Sequence, residues 1–260
     1  MTFCLGMKLK EGLVGIADTR ITSGTEVTVA RKVTVYQKKR HSFFLMTSGL
    51  RSVRDKALTY FEEVVDEQDQ DFDRLYKAVN AFATQIKRVA AEDREALEAG
   101  GFGFNISCLV GGQLENDAEH KLYLLYAQGN WVEIMPGTPF HIIGESGYGK
   151  PILVRALEYE DPLWFALKVG LLAFESTRIS ASDVDYPIDV VVYAGNSYQI
   201  EQHRYSAADL AHVAAWWQTR LRDSVHELPS EWTLEAFNDL PPELRERLRH
   251  SAMPPGTPTS

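Results

Sequence analysis

Apolar residues at the start of the chain fall in short, paired runs. "TFCLGMKL" (residues 2–9) and "LVGIAD" (13–18) flank the turn "KEG", and "KVTVYQ" (32–37) and "SFFLMTSG" (42–49) flank the basic turn "KKRH". Runs of this length around turn residues predict strand hairpins, and Gly12 suits the first turn. Several of the runs are apolar at consecutive positions, which predicts a sheet covered on both faces. The period then changes. Val53, Ala57, Phe61 and Val64, and after them Leu75, Val79, Phe82, Ile86 and Val89, recur at helical spacing with polar residues opposite. Strand patterns return between 103 and 142 in "FGFNISCLVGG", "KLYLLYA", "WVEIM" and "PFHII", with the charged "LENDAEH" as a solvated turn. A helix is expected near 151–159. A second, "DPLWFALKVGLLAFES", has Pro162 at its first helical position. "PIDVVVYAG" and "SYQIEQHRY" then form a closing hairpin.

From Ser206, an expected N-cap, the chain reads as an amphipathic helix whose Leu210, Val213, Trp217 and Leu221 face needs a packing partner. One or two short helices and a tail, "SAMPPGTPTS", follow. The expected division is a core over 1–205, a helical extension over 206–250 and a disordered tail over 251–260. Strand pairs, two helices, strands, two helices and a strand pair predict an α+β fold of two antiparallel sheets face to face with helices outside. This is an αββα, four-layer sandwich.

Composition narrows the function classes. The 260 residues are 45% hydrophobic and 24% charged, enough to bury a sizeable core in one large domain. A formal net charge of −9 argues against nucleic acid or an anionic membrane as partner. No run reaches the roughly 18 apolar residues of a spanning helix, and no secretory leader is evident, so a cytoplasmic location is expected. Cys4 and Cys108 lie in apolar runs outside any CxxC and are expected to be buried, inert thiols. The seven histidines show no metal-ligand spacing, so neither metal nor cofactor is expected.

"HIIGESGYGKP" poses the sharpest question, because Gly144, Gly149 and Lys150 have the spacing of a phosphate-binding loop. Such a loop needs a hydroxyl after its lysine to ligate Mg²⁺, and Pro151 stands there instead. A nucleotide site is therefore not expected. Thr2 offers different chemistry. Removal of Met1 would leave a threonine with both a hydroxyl and a free α-amine, whose pKa of roughly 7.7–8.0 suits a general base at neutral pH. A first hairpin brings Asp18 beside Thr2. Lys32 opens the next strand, where its ammonium would keep that amine unprotonated and Asp18 would hold the lysine. An ordinary exposed Asp–Lys pair would do no such work.

These residues, in "TFCLGMKLKEGLVGIADTRIT", "RKVTVYQ" and "MTSG", resemble the start of proteasome β-type subunits, which are N-terminal nucleophile hydrolases. The similarity runs over about residues 2–205 and is nearest to the bacterial Anbu, or ancestral β-subunit, group, whose tail the C-terminal extension also resembles. The resemblance implies Thr2 as nucleophile, with Asp18 and Lys32 beside it, and Gly49 as the N–H donor to the oxyanion. It implies that Ser146 of "GESGYG" contacts the amine, which would account for the glycine-rich loop. Thr22 and the Gly49 segment would flank a cleft for an extended peptide, with Met46 lining the pocket for the side chain before the scissile bond. Glu175 stands where the family usually has an aspartate, in "FESTRISASDVDYPID"; Asp183, Ser176 or Ser180 could supply that contact instead. The implied function is a self-assembling threonine peptidase or amidase acting on a peptide or protein, as a homo-oligomeric ring or open helical ring. The alternative is a catalytically silent paralogue that keeps the assembly.

Overall fold

The computed structural model describes residues 2–23, 25–39, 41–68, 72–229, 231–236 and 239–251. Met1 and the expected tail beyond Ser251 lie outside the described residues. The chain divides into two compact units, residues 1–210 and 211–260, with the division after the first turn of a long helix rather than before it.

The first unit runs β1 (Phe3–Leu9), β2 (Gly12–Asp18), β3 (Arg20–Ser23), β4 (Glu26–Val29), β5 (Val33–Lys38) and β6 (His41–Gly49), then α1 (Arg51–Gln68) and α2 (Leu75–Ala99). It continues with β7 (Ile106–Gln113), β8 (Lys121–Leu125), β9 (Trp131–Glu133), β10 (Phe140–Gly144), α3 (Lys150–Ala156), α4 (Leu163–Ser180), β11 (Ile188–Ala194) and β12 (Ile200–Tyr205), and ends in the first turn of α5 (Ala207–Glu227). One sheet has the order β10-β1-β2-β11-β12 and another β5-β6-β7-β8-β9, all pairings antiparallel; β3 and β4 form a separate hairpin.

The period-2 geometry of β6 explains how both sheets are covered. Phe43 and Leu45 enter a core with Val53, Ala57 and Phe61 of α1 and Val79, Phe82 and Ile86 of α2. Phe44 and Met46 point the other way, into a core shared with Cys4, Leu13, Ala17 and Val191 of the other sheet. On the far side of that sheet, α4 lies against β1 and β2 and buries Ala166, Val169 and Phe174. Every position of β1 and β2 is consequently buried, as their unbroken apolar runs predicted. Each large side chain so buried stabilises the unit by roughly 1.5–3 kcal/mol.

Local details differ from the sequence reading at several points, the helix expected near 151–159 among them, which runs over Lys150–Ala156. Pro162 caps α4 with an extended backbone instead of occupying its first helical position. The buried stripe of α1 continues through Val65, with Val64 only half-buried. The "LENDAEH" segment is not simply solvated: Leu114 and His120 are buried, and Asp117 Oδ2 accepts the N–H groups of Leu75 and Leu114. Cys4 and Cys108 are buried free thiols, and burial pushes both up from the ordinary thiol range.

In the second unit, the remainder of α5 is followed by α6 (Glu231–Glu235) and α7 (Pro242–Ser251). The expected packing face of α5 is covered only in part, since Leu210 is buried while Leu221 is 49% exposed. No helix among the described residues is long and apolar enough to cross a membrane.

Two histidines, His120 buried and His141 half-buried, are expected to give the fold a pH dependence. His120 donates from Nε2 to the Leu9 carbonyl at 2.7 Å, and burial lowers its pKa. Burial, then the Lys150 charge, lowers that of His141 as well. Both imidazoles bind protons more weakly folded than unfolded, so stability is full above the unfolded value of about 6.5 and falls as pH drops through that point toward the folded values. Thermal melts at stepped pH should therefore show a falling melting temperature below about pH 6.5. A flat profile there would contradict the assignment.

Candidate active site

Thr2 immediately precedes β1, and its position is fixed from two sides. Its carbonyl accepts the Glu145 N–H at 2.7 Å, from the glycine-rich segment after β10. Gly144 makes that approach possible: it has φ +90°, and a Cβ there would stand 1.9 Å from the Thr2 carbonyl oxygen. The P-loop-like stretch thus cradles Thr2 in place of a phosphate.

On the other side, β1 and β2 pair with Cys4 opposite Ala17, which carries the end of β2 to the start of β1. Asp18 Oδ1 accepts the Phe3 N–H at 2.8 Å and the Lys32 ammonium at 2.6 Å, and Oδ2 accepts the Arg20 N–H at 3.1 Å. Lys32 also donates to the Arg20 carbonyl at 2.7 Å. Its own carbonyl accepts the Thr47 N–H at 3.1 Å, which ties the lysine to the end of β6. The pair is sealed in the protein, with Asp18 at 0% and Lys32 at 3% side-chain exposure. Burial pushes the Asp18 carboxyl up, and the Lys32 ammonium and the two backbone donors oppose that shift.

A cavity of about 640 Å³ opens over this arrangement, lined by Thr2, Thr22, Lys32, Gly49 and Gly144 among others. Gly49 ends β6 with φ +122°, and a Cβ there would collide with the Asn105 carbonyl at 2.3 Å, so the backbone needs glycine at this wall. The structure therefore gathers Thr2, Asp18, Lys32, Gly49 and Thr22.

Two expected residues, Met46 and Glu175, are placed elsewhere, and a third, Ser146, follows directly on the Gly144–Glu145 contact with Thr2. Met46 is fully buried between the sheets, on the face of β6 opposite that of Thr47 and Gly49, and Thr47 lines the cavity in its stead. Ser146 sits half-buried in the turn before α3, and its carbonyl accepts the Lys150 N–H at 3.1 Å. Glu175 is 1% exposed and engaged within its own neighbourhood, accepting the Tyr186 hydroxyl at 2.6 Å and Arg178 Nη2 at 2.8 Å. Of the alternatives for its role, Asp183 comes to the cavity wall, where the Thr22 hydroxyl hydrogen-bonds its carboxyl.

Sequence reasoning missed the β3–β4 hairpin, which supplies Arg20, Ile21, Glu26 and Thr28 to the cavity, and the wall formed by Thr47, Arg51 and Arg54. The alternation along β6 was the signal for Thr47, because a residue two before Gly49 shares its face. Among the described residues, no group of three or more His, Cys, Asp or Glu side chains is placed to hold a metal ion.

No protein-family model and no curated protein matches the chain. Solved structures do. The chain is 30% identical to the Anbu subunit of a helical assembly from Pseudomonas aeruginosa, with a TM-score of 0.82 over 88% of this chain and 97% of that one. It is 26% identical to Anbu from Yersinia bercovieri, TM-score 0.80, over 87% and 97% of the two chains. With a Gly-1 mutant of Anbu from Hyphomicrobium sp. strain MC1 the identity is 27% and the TM-score 0.81, over 88% and 99%. Facing antiparallel sheets with Thr2 at the head of a central strand define a proteasome-like subunit. Within that class the chain belongs to the Anbu, or ancestral β-subunit, family.

Proposed function

We propose that the protein is a self-assembling N-terminal threonine peptidase or amidase, built on the αββα four-layer sandwich and working in the cytoplasm. The observation that carries this reading is the placement of Thr2 in the wall of the cavity with Lys32 beside it and Asp18 beneath. After removal of Met1, the Thr2 amine takes the hydroxyl proton as Oγ1 attacks a peptide carbonyl. Gly49 donates its N–H to the resulting oxyanion, a type of contact that contributes about 3 kcal/mol in other hydrolases. The leaving amine departs with the proton, and water then hydrolyses the acyl ester by the reverse sequence of proton transfers. Lys32 keeps the Thr2 amine unprotonated at neutral pH, and Asp18 orients Lys32. Ser146 and Asp183 approach the amine once Met1 is gone. Ring or open helical assembly is supported by the helical assembly named for the Pseudomonas aeruginosa relative.

The second reading, a silent paralogue that keeps the assembly, draws on Glu175, whose carboxylate is already committed to Tyr186 and Arg178. One experiment separates the two. Intact mass of the protein from its host, followed by a peptidyl epoxyketone, should show loss of Met1 and a single adduct mapped to Thr2. A chain that keeps Met1 and takes no adduct would establish the silent paralogue.

A further inference from the structure

The cavity extends from Thr2 toward the start of α1, where its chemistry becomes cationic. On the reading of Thr2 as the nucleophile, we propose that this end of the cavity selects substrates with an acidic side chain, aspartate or glutamate, at the residue whose carbonyl is attacked.

The side chain of that residue must enter the space between Thr2 and Gly49, and the wall behind that space is formed by Thr47, Arg51 and Arg54. Thr47 is 3% exposed, and its Oγ1 is a buried oxygen without a hydrogen-bond partner. Leaving such a hydroxyl unsatisfied is costly, and an entering carboxylate would accept its proton. Helix α1 begins directly beyond this wall. Its first turn carries no acidic residue, although the positive end of a helix dipole favours one, and Arg51 and Arg54 occupy the turn instead. The helix end and the two guanidinium groups therefore add to a single positive field, which among the described residues Asp55 answers.

Arg54 is well placed to meet a ligand. Its side chain is 12% exposed, and Asp55 Oδ1 holds Nε at 2.8 Å and Nη2 at 2.6 Å, which fixes the plane of the guanidinium. Asp55 itself is 50% exposed, so water screens its half of the pair more than it screens Arg54. The cavity lining includes two further cations. Lys32 is committed to Asp18, and Arg20 donates from Nη1 to Asp185 at 2.9 Å. Among the described lining residues Glu26, on the exposed β4 edge, is the one carboxylate, and Asp183 brings a second to the cavity through its bond with Thr22. An apolar side chain in this pocket would leave Thr47 Oγ1 unpaired and desolvate Arg54 without return, and a basic one would meet like charge. A site built to pair a polar group rejects analogues that lack it far more strongly than an apolar pocket rejects a misfit.

The test is a fluorogenic peptide series that varies only the attacked residue as Glu, Asp, Gln, Leu and Arg, alongside epoxyketones carrying Asp or Leu. The expected result is a kcat/KM for Glu or Asp at least about tenfold above Leu and Arg, shrinking as salt is raised. Arg54→Gln should cut the acidic preference by about tenfold or more while the Leu epoxyketone still labels Thr2. Arg51→Gln changes a side chain that is 57% exposed, keeps the same test available if Arg54→Gln does not fold, and should lower the preference a few-fold. Preference for Leu or Arg with Thr2 labelled would overturn the acidic pocket and leave the peptidase standing. Absence of turnover and of labelling with every member of the series would overturn both.

Discussion

Thr2→Ala should reduce peptide turnover by about 10⁴-fold or more and abolish epoxyketone labelling, with little change in melting temperature. The size of the effect follows from how little else the Thr2 side chain does. The residue is held by its backbone: its carbonyl takes the Glu145 N–H, and the next residue's N–H goes to Asp18. Alanine keeps both contacts and stays small enough for removal of Met1, so the variant should present the same amine, the same Lys32 and the same Gly49, without the attacking oxygen. Thr2→Ser retains hydroxyl and amine and should keep measurable activity, which separates loss of the nucleophile from disturbance of its surroundings. Turnover in Thr2→Ala at the wild-type level, in protein free of contaminating peptidases, would exclude Thr2 as the nucleophile.

The elements legible in the sequence were those with a strong period. The apolar faces of α1 and α2, and the continuous apolar runs of β1 and β2, stood out because packing on one side or on both leaves an unambiguous pattern. The β3–β4 hairpin left none. "RITSGTEVTV" alternates weakly, and Val27 and Val29 are 52% and 56% exposed, so no buried face organises that stretch. It is nevertheless the outer wall of the cavity. The site was legible to the extent that the backbone register determines it: a hairpin from Thr2 to Asp18 has one geometry, and Lys32 at the head of the following strand falls beside it. Side-chain direction was harder. Met46 and Thr47 are adjacent in sequence, but Met46 faces the core between the sheets and Thr47 the cavity, a distinction that depends on which residue of "MTSG" closes the strand. Glu175 is a related case. Its position along α4 matched the expected carboxylate, but Tyr186 and Arg178 hold it there, while Asp183, in the segment after α4, bonds Thr22.

Lys32→Met should destabilise the protein by about 3–5 kcal/mol, because it strips the cation from a carboxylate that has no access to water. Asp18 would keep the Phe3 and Arg20 N–H groups, at 2.8 and 3.1 Å, but two neutral donors do not replace an ammonium at 2.6 Å. Against a total stability of about 5–15 kcal/mol, a loss of this size is readily measured by urea unfolding. Its pH dependence identifies the cause. Burial already raises the Asp18 carboxyl, and without Lys32 it rises further. A carboxyl with a raised folded pKa binds protons more tightly folded than unfolded, so the variant's deficit should shrink as pH is lowered toward the unfolded value and grow as pH rises through the folded one. A deficit independent of pH would indicate lost packing of the lysine stem. Adding Asp18→Asn to Lys32→Met removes the unpaired charge and should recover a large part of the stability, since replacing both partners is much milder than removing one. Activity should not return with it, because nothing then opposes protonation of the Thr2 amine. Recovery of stability and turnover together would reduce the Asp18–Lys32 pair to a buried strut, and the base at Thr2 would have to be kept neutral by another group.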